Sequence, residues 1–145
     1  MQQEIRSGTS PNDRLPYLVM ACLSGAVLVT ARILPPSPRG VGTHELLGLP
    51  PCFFLKLTGL PCPSCGLTTC FAHAARLHFY EALVTQPFGL LAFFITLSLI
   101  PLSCWLAYRR VPWPSVVGSR AMKSVMGLLL ALWLIGWVYK IAVMR

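Results

Sequence analysis

Residues 87–108 read PFGLLAFFITLSLIPLSCWLAY, and the run without a charged residue reaches back to Ala82. At 1.5 Å per residue a helix of this length spans about 33 Å, the thickness of a bilayer core. Pro87 suits the first helical position, where its missing N–H costs nothing. Pro101 removes one backbone hydrogen bond and predicts a kink. Arg109 and Arg110 close the span.

Two further runs behave the same way. Leu15 to Leu34 is apolar except for Arg32, whose long stem can carry its charge to the headgroups. A cleavable signal peptide is the rival reading of this run. Its apolar part would be long, and Val29-Thr30-Ala31 is a weak cleavage site, so a retained span is expected. The third span is expected over 124–141, after a loop over 111–123. Trp133, Trp137 and Tyr139 crowd one end of the spans, and Trp105, Tyr108 and Trp113 mark the other, as interfacial aromatics do. Residues 1–14 are polar and read as a flexible tail, and residues 15–145 as a single membrane domain.

Composition agrees. The 145 residues are 55% hydrophobic and 11% charged, with a mean hydropathy of +0.67. A soluble domain carries about 25% charged residues, and a disordered chain needs low hydrophobicity. The net charge of +8 is scattered between apolar runs with no basic stripe, which speaks for span-flanking charges and against nucleic-acid binding. With three spans, Arg6, Arg14, Arg109, Arg110, Arg120 and Lys123 fall on one side. Arg32, Arg39, Lys56, Arg76, Lys140 and Arg145 fall on the other, a tie of six to six. Four positives in the short 109–123 stretch outweigh three spread over 35–86, so the N-terminus is expected inside.

The connection over 35–86 opens with Pro35-Pro36-Ser37-Pro38, which ends the first helix. It carries five charges, and its middle, Leu46 to Leu60, is rich in Leu, Phe and Pro. Such a segment is expected at the membrane surface or dipping into it, covered by protein where its backbone lacks helix. The expected fold is therefore an all-α integral membrane protein. It has three transmembrane helices and a Cys-rich interfacial or re-entrant segment, 46–86, between the first two.

Four of the six cysteines, Cys52, Cys62, Cys65 and Cys70, fall within nineteen residues. Cys22 and Cys104 lie inside spans and are expected as small packing residues. Cys62-Pro63-Ser64-Cys65 can close a disulfide or share a metal. Pro61 and Pro63 restrict the backbone, and Gly66 allows a sharp turn into a helix expected over 66–80. Cys52 is expected to approach the same point, and sequence does not fix which cysteines pair. Thr68 or Thr69 can offer a hydroxyl to first-turn backbone groups. Cys62, Cys65, Cys70 and His73 also have soft-ligand spacings, with Cys52 able to replace Cys70 or His73, so zinc or copper is the alternative to a site without cofactor. On the expected helix, Thr69, His73, Arg76 and Tyr80 share one face, either lining a polar pocket or facing water. His78 and Glu81 form a local pair, and Thr43 with His44-Glu45 reads as a helix cap. There is no Ser/His/Asp order, no phosphate-binding glycine loop, and too few carboxylates for acid–base chemistry.

The stretch Leu57-Thr58-Gly59-Leu60-Pro61-Cys62-Pro63-Ser64-Cys65-Gly66-Leu67-Thr68 resembles the hallmark of domain-of-unknown-function family 2752, small bacterial integral membrane proteins. That pattern has an upstream Cys, a Leu-Thr-Gly-like turn, Cys-Pro-x-Cys-Gly-x-Thr-Arg, a helix, and Asn-Pro before the next span. Cys52 matches the upstream cysteine, and Cys62, Pro63, Cys65, Gly66 and Thr68 match the core. Thr69 stands where the family has Arg, with Arg76 as a substitute two turns on, and Gln86 stands where it has Asn. Cys70 and His73 are outside the pattern. The family has no assigned biochemical function, so the resemblance implies the membrane class and the motif and leaves the mechanism open. It also implies a multi-pass protein of the bacterial inner membrane. Three functions are expected in this order: a non-catalytic protein whose motif is a structural or docking element, a thiol-redox or metal-handling protein using Cys62 and Cys65, and a subunit of an oligomeric transporter. The partners expected are the lipid bilayer and other membrane proteins or a second copy, with no nucleic acid.

Overall fold

The computed structural model describes residues 14–144, so the expected tail lies, but for Arg14, outside the described residues. All regular structure in the described residues is helical. Helices α1 (Leu15–Ile33), α5 (Pro87–Arg109) and α7 (Arg120–Met144) are the three long apolar ones, and each is long and apolar enough to cross a membrane. Their large side chains, Leu18, Leu97 and Leu128 among them, are exposed to the surroundings, as a lipid-facing surface requires. The first two spans begin and end within a residue of expectation. The third begins four residues before Ser124, because the Ser119 hydroxyl accepts the Met122 N–H at 3.1 Å and caps the helix there. The loop before it is shorter than expected and holds a further short helix, α6 (Trp113–Val117).

The connection between α1 and α5 folds into a short 3₁₀ helix (Thr43–Leu47), α2 (Phe53–Thr58), α3 (Leu67–Ala74) and α4 (Phe79–Thr85). The buried core sits here, at one end of the spans. Ala31 of α1, Cys70, Phe71 and Ala74 of α3, Ala82 of α4 and Phe93 of α5 form one cluster. The Phe71 and Phe93 rings meet edge to face with centroids 5.6 Å apart. The approach is close: a Cβ on Gly89 would lie 2.8 Å from the Cys70 sulfur. At the other end Tyr17 packs its ring on Trp113, 5.2 Å between centroids. That contact holds the start of α1 beside the α5–α7 connection.

The helix expected over 66–80 is two helices. Leu77 takes a φ of +66°, the Leu77 N–H bonds the Ala74 carbonyl, and the His78 N–H bonds the His73 carbonyl, each at 3.0 Å. This is the pattern of a Schellman turn, with leucine where glycine is usual. Cys22 and Cys104, expected to pack within spans, are exposed. They stand on the outward faces of α1 and α5.

Candidate functional site

Pro50 and Pro51 bring the chain to Cys52, which stands just before α2. Gly59, at φ +69°, ends that helix, and the Thr58 hydroxyl accepts the Leu60 N–H at 3.2 Å, turning the chain back. Residues 62–65 then form a tight turn in which the Cys65 N–H bonds the Cys62 carbonyl at 2.9 Å. Gly66, at φ +89°, leads into α3. Only glycine takes this conformation without strain, and a Cβ here would lie 2.8 Å from the Gly40 carbonyl oxygen.

This path gathers three thiols. The sulfurs of Cys62 and Cys65 are 3.1 Å apart, and those of Cys52, Cys62 and Cys65 all lie within 4.8 Å of one another. None is in a disulfide. Cys65 is buried, and Cys52 and Cys62 are half-buried. A cavity of about 210 Å³ opens beside them, lined by Arg39, Glu45, Cys52, Lys56 and Cys65 among others. The thiols are not equivalent. Backbone amides at the start of α2, that of Leu55 foremost, favour the thiolate of Cys52 and hold its pKa below the ordinary 9.0. Burial, with the neighbouring thiols adding to it, pushes Cys65 up to about 12.

The four-ligand set Cys62, Cys65, Cys70 and His73 is not assembled. The Cys70 thiol donates to the carbonyls of Ala82 (3.3 Å) and Gln86 (3.4 Å), and burial raises its pKa to about 12. It is a packing and hydrogen-bonding group. His73 lines a separate cavity with Tyr80, Glu81 and Pro36. Burial lowers its pKa.

The expected face of Thr69, His73, Arg76 and Tyr80 does not survive the break at Leu77. Thr69 is buried, its hydroxyl 2.8 Å from that of Thr43. Thr43 therefore fixes the segment rather than capping a helix, and Thr69 does not bond the first turn of α3. Thr68 is exposed and lines an apolar groove with α1. Arg76 donates to the carbonyls of Ala31 (3.2 Å), Ala72 (2.9 Å) and Ile33 (3.4 Å), and so holds the end of α1. Tyr80 is 77% exposed.

The residues that fasten the site include several that the sequence reads in other roles. The Gln86 amide donates to the Pro63 carbonyl at 3.1 Å. From α7, Trp137 donates to the Pro61 carbonyl at 2.8 Å, and Tyr139 lies 3.4 Å from that of Val84. Lys140 is 5% exposed and donates to the Thr85 carbonyl at 2.9 Å. Trp137 and Tyr139 read as interfacial aromatics, and Lys140 as a flanking charge. The structure makes all three clamps on backbone that helices leave unpaired.

No curated protein and no solved structure matches the chain. Residues 52–100, from the first thiol of the cluster into α5, are similar to the model of the family described as Protein of unknown function (DUF2752).

Proposed function

We propose that this chain is a non-catalytic, metal-handling membrane protein whose three thiols hold one thiophilic metal ion at the membrane surface. The observation that carries the reading is the convergence of the Cys52, Cys62 and Cys65 sulfurs within 4.8 Å while all three are unlinked. A disulfide joins two sulfurs and leaves the third idle; a metal uses all three. With metal–sulfur bonds of about 2.3 Å, tetrahedral sulfur ligands stand about 3.8 Å apart, so Cys62 and Cys65, at 3.1 Å, need to open by less than about 1 Å, and all three sulfurs already lie within 4.8 Å of one another. Thiolate ligands select zinc or copper(I) over hard cations. Three protein ligands leave a fourth position for water or a donor from the adjacent cavity. Following the family resemblance, the protein belongs in a bacterial inner membrane.

Metal analysis of the full chain, purified under reducing conditions, tests this. About one ion per chain is expected, lost in Cys62→Ser and Cys65→Ser and kept in Cys22→Ser and Cys104→Ser. Metal-free protein with a stable disulfide overturns the reading. A second reading, the motif as a purely structural or docking element, draws support from the clamps of Gln86 and Trp137 on the two prolines of the motif. It predicts that the serine variants lose folding and that the wild type binds no metal.

A further inference from the structure

Among the described residues, Lys140 is the only charged side chain that the protein buries. A buried ammonium is costly unless an anion accompanies it. Among the described residues no carboxylate does so: the ionisable groups that act on Lys140 are Cys65 and Cys70, and its hydrogen bonds go to two neutral carbonyls, those of Thr85 at 2.9 Å and Gly40 at 3.5 Å. The ammonium lies against the thiol turn, since a Cβ on Gly66 would be 3.1 Å from its nitrogen. Cys70 is not its anion, because that thiol is fully buried and donates its proton to two carbonyls.

We propose that Lys140 is the built-in counter-charge of the thiol centre, and that the centre accordingly takes a divalent thiophilic cation, with zinc as the probe. The inference rests on the reading of the centre as a metal site. Binding breaks three S–H bonds, forms three metal–sulfur bonds and sends three protons to water. Zinc with three thiolates carries one negative charge, and Lys140 brings the buried ensemble to neutrality. Copper(I) with three thiolates leaves one negative charge even with Lys140 present. Among the described residues the ammonium of the metal-free protein bonds only carbonyl dipoles, so its charge is a cost there and a gain once metal binds.

Lys140 also clamps the Thr85 carbonyl, so a charge-removing and a charge-keeping variant are compared to isolate the counter-charge. The experiment uses the full chain, reduced, in detergent micelles, titrated with zinc against a chromophoric chelator. Cobalt(II) serves as a spectroscopic probe of thiolate ligation. Lys140→Gln keeps an N–H donor and removes the charge; Lys140→Arg keeps the charge. Zinc affinity is expected to fall at least about tenfold in Lys140→Gln, the order of one unit charge acting through a protein interior, and to stay within about threefold in Lys140→Arg. The cobalt–thiolate absorption at saturation should be unchanged in both variants. Equal zinc affinity in Lys140→Gln and the wild type, or an equal loss in Lys140→Arg, overturns the counter-charge. A wild type that takes copper(I) and no zinc overturns the divalent assignment while the metal site stands. A wild type that binds neither overturns the underlying reading itself.

Discussion

Cys52 and Cys65 share one site and are biased in opposite directions. Helix-start amides favour the Cys52 thiolate, and burial holds Cys65 protonated up to about 12. Alkylation of the metal-free protein near pH 8 should therefore reach Cys52 at least about ten times faster than Cys65 or Cys70, because the thiolate is the nucleophile. Site-resolved mass spectrometry over time checks the order; equal rates would show that the asymmetry is absent. The stability consequence has a definite sign. Between the ordinary 9.0 and about 12 an unfolded chain ionises the Cys65 thiol while the native chain keeps it protonated. The native state thus loses stability as pH rises through that window. At this scale the sequence was legible where local chemistry decided the outcome. Pro61, Pro63 and Gly66 dictate the turn, and the turn brings Cys62 to Cys65. It was illegible for Cys70 and Lys140, whose partners, Ala82, Thr85 and Gly40, sit on other elements. No spacing rule brings residue 140 to residue 40.

The break after α3 shows the same division between helices. Alanines and period-four polar positions run through residues 66–80 without a stop signal, so a single helix is the local expectation. Tertiary packing ends it: Ala74 and Ala82 belong to one buried cluster with Phe93, whereas one straight helix would set them about 12 Å apart along its axis. The chain meets the demand with a left-handed residue at Leu77, which is 75% exposed. Leucine pays about 1–2 kcal/mol for that conformation and glycine almost none. Leu77→Gly should therefore stabilise the protein by about 0.5–1 kcal/mol, after the glycine's greater freedom in the unfolded chain is subtracted. A higher thermal midpoint with unchanged helical content checks it, and a lower midpoint would mean that the Leu77 side chain does more than turn the chain. Arg110, at φ +54°, ends α5 in the same way, but there the paired arginines already marked the boundary in sequence.

The three spans divide the molecule into two ends. The start of α1 and the α5–α7 connection lie together through Tyr17 and Trp113. The thiol centre lies at the other end with the last turns of α7, through Trp137 and Lys140. A count of positives cannot say which end faces the cytoplasm, but the structure gives two of the six charges at the thiol end a different purpose. Lys140 is buried beside the thiol turn, and Arg76 holds the α1 carbonyls of Ala31 and Ile33. Their positions answer to the fold rather than to topology. Arg109, Arg110, Arg120 and Lys123 are all exposed, at the two span ends that flank a short connection, where the positive-inside bias acts most strongly. The N-terminus and residues 109–123 should therefore be cytoplasmic, with the thiol centre outside. A C-terminal alkaline phosphatase fusion should be active and a C-terminal green fluorescent protein fusion dark. In intact cells with a permeabilised outer envelope, a membrane-impermeant maleimide should label Cys52 in a variant that keeps this as its only reactive half-exposed thiol. A bright fluorescent fusion with Cys52 protected until the inner membrane is lysed would reverse the orientation. It would place the thiol centre on the reducing side, where three free thiols persist without a bound ion to protect them.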